Sequence, residues 1–118
     1  SKHVVEAALT LMDVSEPNVL SIALLCANLN ISRRTLELAF RTIIGKSPLQ
    51  FFTDRRLCRA YIALRKSDQE SASVTDIALS YGFTELGRFA VRYRKIFGEL
   101  PSETLRQKSK KFTSAVEI

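Results

Sequence analysis

Residues 25–48, LCANLNISRRTLELAFRTIIGKSP, return in altered form as residues 77–101, IALSYGFTELGRFAVRYRKIFGELP. Leu25, Cys26 and Ser32 align with Ile77, Ala78 and Thr84 at an offset of 52 residues. After one inserted residue, Leu36, Phe40, Gly45 and Pro48 align with Phe89, Tyr93, Gly98 and Pro101 at an offset of 53. Such self-similarity marks two copies of one supersecondary unit. In each copy a helix runs into a residue tolerant of left-handed geometry, Asn30 or Gly82. A fresh N-cap, Ser32 or Thr84, follows at once, so the chain turns sharply between two helices. The small residues Cys26 and Ala78 stand before each turn, where crossing helices need their backbones close. Each copy therefore predicts a helix-turn-helix.

The remaining chain extends this pattern outward. Val5, Ala8, Leu9 and Met12 share one face of a helix over about 2–13 that stops before Pro17. Ser21 caps a short helix to about Leu29, and Ser32 caps a second to Gly45. Ser47 and Pro48 open a long helix to about Lys66, with Phe52, Leu57, Ala60, Tyr61 and Leu64 inward. After the polar run 67–73, Ser73 with Asp76 forms a capping-box-like start for a helix to Tyr81. Thr84 caps a helix ending at Gly98, and a last helix follows Pro101 to about Ser109. No strand pattern competes, so the fold class is all-α. The domain plan is a first helix-turn-helix subdomain over 1–47, a linker helix over 48–66, a second subdomain over 67–109 and a frayed tail over 110–118. A linker helix of this length spans roughly 28 Å at about 1.5 Å per residue, the scale of the roughly 34 Å between successive turns of one DNA face.

Composition bounds the function. The chain of 118 residues is 46% hydrophobic and 25% charged, ordinary for one globular domain. No apolar stretch approaches the roughly 20 residues of a membrane span, and no signal peptide opens the chain. Cys26 and Cys58 are too few for a disulfide framework and fit a reducing, cytoplasmic setting, with Cys26 a small core residue. The opening on Ser1 points to a piece of something longer. With 18 Lys and Arg against 12 Asp and Glu, the net charge of +6 points to a polyanionic partner.

The chain resembles the DNA-binding domain of AraC/XylS-type bacterial transcription regulators over about Val4 to Arg106. The residues that carry the resemblance in the second copy are Ile77-Ala78, Gly82-Phe83, Phe89, Tyr93, Arg94-Lys95, Gly98, Pro101 and Arg106. In the first copy they are Ser32-Arg33-Arg34-Thr35-Leu36, Phe40, Gly45 and Ser47-Pro48. The resemblance implies seven helices, regulation of transcription through double-stranded DNA and contact with RNA polymerase. For most members it also implies an N-terminal effector or dimerisation domain outside this chain, whereas some consist of this domain alone. Gly87 departs from the usual polar residue, Leu100 from the usual Ser or Thr before Pro101, and Leu38 and Val91 stand at places often held by Arg.

The outer faces of the predicted recognition helices, 33–44 and 85–97, carry the candidate base readers. Leu36, Phe40 and Ile43 turn inward, leaving Arg33, Arg34, Glu37, Leu38 and Arg41 outward. Phe89, Tyr93, Ile96 and Phe97 turn inward in the second copy, leaving Leu86, Gly87, Arg88 and Val91. Arg34 suits guanine O6 and N7, Glu37 a cytosine amino group, and Leu38 and Val91 thymine methyl groups. Gly87 offers no side chain, so weaker base discrimination is expected of the second copy. Its basic cluster, Arg88, Arg92, Arg94 and Lys95, suits phosphates, the alternative for Arg92 or Arg94 being a pairing with Glu85 or with a neighbouring helix. Further phosphate candidates are Ser21, Ser32, Ser47 and Thr84, beside backbone amides at helix starts. Arg56, amid apolar neighbours, is expected to make a structural ion pair, and Tyr61, Tyr81 and Tyr93 to be core rings with polar tips.

Chemistry is scarcely represented. His3 is the one histidine, so neither a Ser-His-Asp triad nor a histidine metal cluster can be built, and no cofactor motif or phosphate loop appears. An enzyme is not expected. The rival reading is a helical protein-protein interaction module using Leu38 and Val91 as partner contacts. RNA is disfavoured because the helices carry no exposed aromatic platform.

Overall fold

The computed structural model describes residues 2–107, and these hold seven helices and no strand. They are α1 (Lys2–Val14), α2 (Ile22–Leu29), α3 (Arg33–Ile43), α4 (Pro48–Lys66), α5 (Val74–Ser80), α6 (Leu86–Phe97) and α7 (101–107). Most expected boundaries hold within a residue or two. The expected frayed tail and the end of the last helix lie outside the described residues.

The chain divides into two compact units, one ending at Arg55 and the next beginning at Arg56. In the first, α1 packs on α2 and α3. Its core gathers Val5, Ala8 and Met12 from α1, Leu25 from α2, Leu36, Ala39 and Phe40 from α3, and Phe52 from α4. Burying each large apolar side chain stabilises the fold by about 1.5–3 kcal/mol. Arg55 pairs with Asp13, fastening the start of α4 to the end of α1.

The second unit gathers Leu57, Ala60 and Leu64 from α4 with Ala78, Phe89, Tyr93 and Leu105. Tyr61 stacks on Phe97 at 4.5 Å, and the Tyr93 ring lies 4.7 Å from Phe97 and 5.6 Å from Phe89. As expected, the tyrosines present rings to the core, and Tyr61 Oη accepts from Arg65. The α4 helix is thus no free-standing spacer, since Phe52 serves one core and Leu57, Ala60 and Leu64 the other.

Local bonds set the boundaries. The hydroxyls of Ser21, Ser32, Ser47 and Ser73 each accept from the amide three residues on, at Leu24, Thr35, Gln50 and Asp76. Asn30, at φ 54°, ends α2 in the left-handed region and bonds Ala27 and Cys26 carbonyls. Gly82, at φ 87°, makes the matching turn after α5 without the steric penalty a Cβ would bring.

Candidate nucleic-acid interface

Ser32 sets α3 in register, so that Leu36, Ala39 and Phe40 face the core and Arg33, Arg34, Leu38 and Arg41 are exposed. Ile43, expected inward, is 50% exposed, and Ala39 and Ile44 fill that part of the core instead. At 100° per residue Ile43 lies within the arc of Leu36, Ala39 and Phe40, so its exposure comes from its place as the last residue of α3, which gives way to its C-cap at Ile44. Glu37 lies between two arginines, 3.7 Å from Arg33 Nε and 4.0 Å from Arg41 Nε. Leu38, 58% exposed, sits on the same outer face as Arg34.

The α6 face differs. Its helix begins at Leu86 with Glu85, not Thr84, in the N-cap position, and Glu85 makes no side-chain cap bond. Its carboxylate instead meets Arg88 Nε at 2.9 Å. Phe89 and Tyr93 are buried, while Leu86, Gly87, Arg88, Val91, Arg94 and Lys95 are exposed. Ile96, expected inward, is 45% exposed, because at 100° per residue it falls just outside the arc of the buried Phe89 and Tyr93. Arg92 is half-buried, with its Nε shielded from solvent. Arg94 and Lys95 occupy the last turn, where cations also suit the helix dipole.

Among the phosphate candidates, Ser21, Ser32 and Thr84 are exposed and Ser47 is half-buried. The serine oxygens accept cap bonds, so an anion at these ends would meet the remaining backbone amides and the hydroxyl protons.

Arg56, expected to make a structural ion pair, reaches neutral partners in the second unit. Arg56 Nη1 donates to the carbonyls of Gly82 at 3.1 Å and Tyr81 at 3.4 Å, and its guanidinium lies 4.9 Å over the Phe83 ring. Desolvation lowers its pKa without threatening its charge. The turn that aims α6 is therefore braced from α4. A long-range pairing of this kind leaves no local sequence signal beyond an arginine amid apolar residues. Cys26 is half-buried against the first core as expected, whereas Cys58 is exposed on α4.

A helix-turn-helix domain family model matches residues 25–107, spanning both copies of the repeat. The XylDLEGF operon transcriptional activator of Pseudomonas putida is 44% identical over 77 residues, 65% of this chain and 24% of that protein. The chain thus spans about a quarter of that relative's length. A probable AraC family transcriptional regulator from Rhodopseudomonas palustris CGA009 superposes with a TM-score of 0.77 at 37% identity, over 90% of this chain and 97% of that one. The DNA-binding domain of AdpA, solved in complex with a target DNA, shares the fold with a TM-score of 0.76 at 24% identity, over 92% and 94%. Two turns through left-handed residues, Asn30 and Gly82, each followed by a helix with an exposed outer face, recur in one chain alongside these matches, and the chain belongs to the AraC/XylS family of helix-turn-helix domains.

Proposed function

We propose that this domain binds double-stranded DNA sequence-specifically and thereby regulates transcription, with α3 and α6 each entering a major-groove segment. The observation that carries the reading is that both helices standing behind the capped turns present exposed, cation-bearing outer faces: Arg33, Arg34 and Arg41 on α3, and Arg88, Arg94 and Lys95 on α6. Cations at these places grip phosphates and the arginine forks read guanine edges. AdpA's domain of the same fold is known with its target DNA.

The finer parts of the proposal follow the family. Residues 1–47 and 67–109 act as the two reading subdomains with 48–66 between them, and the two helices occupy successive groove segments. Base edges fall to Arg33, Arg34, Glu37, Leu38 and Arg41 in the first subdomain, and to Leu86, Gly87, Arg88 and Val91 in the second. Phosphates fall to Ser21, Ser32, Ser47, Thr84, Arg94 and Lys95, and Arg92, half-buried, contributes charge at shorter reach. RNA polymerase is the downstream partner, an effector or dimerisation domain completes the protein, and the cytoplasm is its place of work.

Selection of the purified domain against a randomised duplex library, followed by a salt series on the best site and a scrambled control, tests this. Enrichment of a site with two elements about one helical turn apart, bound with affinity falling steeply in salt, is the expected result. Salt-insensitive association with protein and no DNA binding at low salt would overturn it in favour of an interaction module.

A further inference from the structure

Gly87 and Val91 occupy the centre of the outer face of α6. At 100° per residue they lie opposite the buried Phe89 and Tyr93, with Arg94 on one flank and Arg88 and Lys95 on the other. By the repeat, Gly87 is the counterpart of Arg34, and Val91 of Leu38. The fold does not call for a glycine at 87. A Cβ built there meets nothing within 4 Å, and its backbone is not among the left-handed positions. Glycine in a helix is also less favourable than alanine, by roughly 0.5–1 kcal/mol. A bare backbone that neither packing nor conformation explains, set between cations, has one remaining physical use, the close approach of main chain to a ligand. Val91, one turn on and 73% exposed, has no protein surface to cover.

Building on the DNA-binding reading above, we propose that Gly87 and Val91 make α6 a close-approach reader. The bare backbone at Gly87 comes against the edge of a base pair in the major groove, and the Val91 isopropyl group covers the 5-methyl of a thymine. The first copy reads by hydrogen bonds through Arg34, whereas the centre of the second copy's face reads by shape and one methyl group. Arg94 and Lys95 hold the phosphates on either side at the distance this approach requires.

The test uses the selected duplex, variants Gly87→Ala and Val91→Ala, and duplexes in which each thymine is replaced in turn by deoxyuridine. Gly87→Ala is expected to raise Tm by about 2–4 °C while weakening binding at least about tenfold, opposite signs that a structural role cannot produce. One deoxyuridine substitution is expected to weaken binding of the unaltered domain about fourfold and leave Val91→Ala unaffected. Full affinity in Gly87→Ala overturns the proposal, as does a deoxyuridine effect of the same size in Val91→Ala. If the unaltered domain prefers no duplex at all, the DNA-binding reading itself falls, a failure visible before any variant is made.

Discussion

The Tyr93 hydroxyl donates to Thr104 Oγ1 at 2.6 Å, and both residues are fully buried. Thr104 in turn donates to the Glu99 carboxylate, so a short chain of polar groups ties α6 to α7 through the heart of the second core. Glu103 closes the start of α7 by accepting from the Leu100 amide, half of a capping box even though Leu100 supplies no hydroxyl.

Burial, more than its other neighbours, pushes the Tyr93 hydroxyl up from 10 to about 12. In the unfolded chain the phenol ionises near its ordinary value, so between about pH 10 and 12 unfolding releases a proton that the folded state retains. The stabilisation is fully present below pH 10 and is lost as pH rises through that window. Thermal melts across pH 9–12 should show Tm falling, and Tyr93→Phe, less stable by about 1 kcal/mol at neutral pH, should show a shallower fall.

Ser32→Ala and Ser73→Ala each remove a hydroxyl that accepts a first-turn amide. Each is expected to destabilise the domain by about 1 kcal/mol, read as a lower urea midpoint with an unchanged slope.

Glu37 should separate stability from recognition. Its contacts to Arg33 and Arg41 are long, and both arginines are exposed, so Glu37→Gln is expected to change stability by less than about 0.5 kcal/mol. Binding should change more, with lost preference for the selected site and tighter binding to scrambled DNA. Unaltered selectivity in a competition assay would remove Glu37 from the readers.

Arg94→Ala and Lys95→Ala should each lower the slope of log K against log salt by about 1 and leave Tm unchanged. Arg92→Ala should instead lower Tm, because its side chain is half-buried with its Nε shielded from solvent.

The repeat, the caps and the inward stripes were legible because they are local: Ser32 and Ser73 announce helices, and Leu36, Phe40, Phe89 and Tyr93 recur at helical spacing. Ile43 and Ile96 were misjudged because hydrophobicity alone does not say where a packing partner ends. Thr84 suits a cap by residue type, yet backbone geometry gives the position to Glu85. The candidate readers emerged from helical periodicity, but the Glu85–Arg88 pair and the partners of Arg56 depend on rotamers and on distant backbone that periodicity does not encode.

Because Arg56 holds the Tyr81 and Gly82 carbonyls, the second helix-turn-helix is not a self-contained cassette. A fragment of α5 and α6 alone would lack the brace on its own elbow as well as Leu57, Ala60 and Leu64 beneath it. The smallest portable piece for grafting onto another scaffold therefore starts before Arg56 and runs through α7, and any chimaera joined after Lys66 would carry the right letters on a loosened hinge.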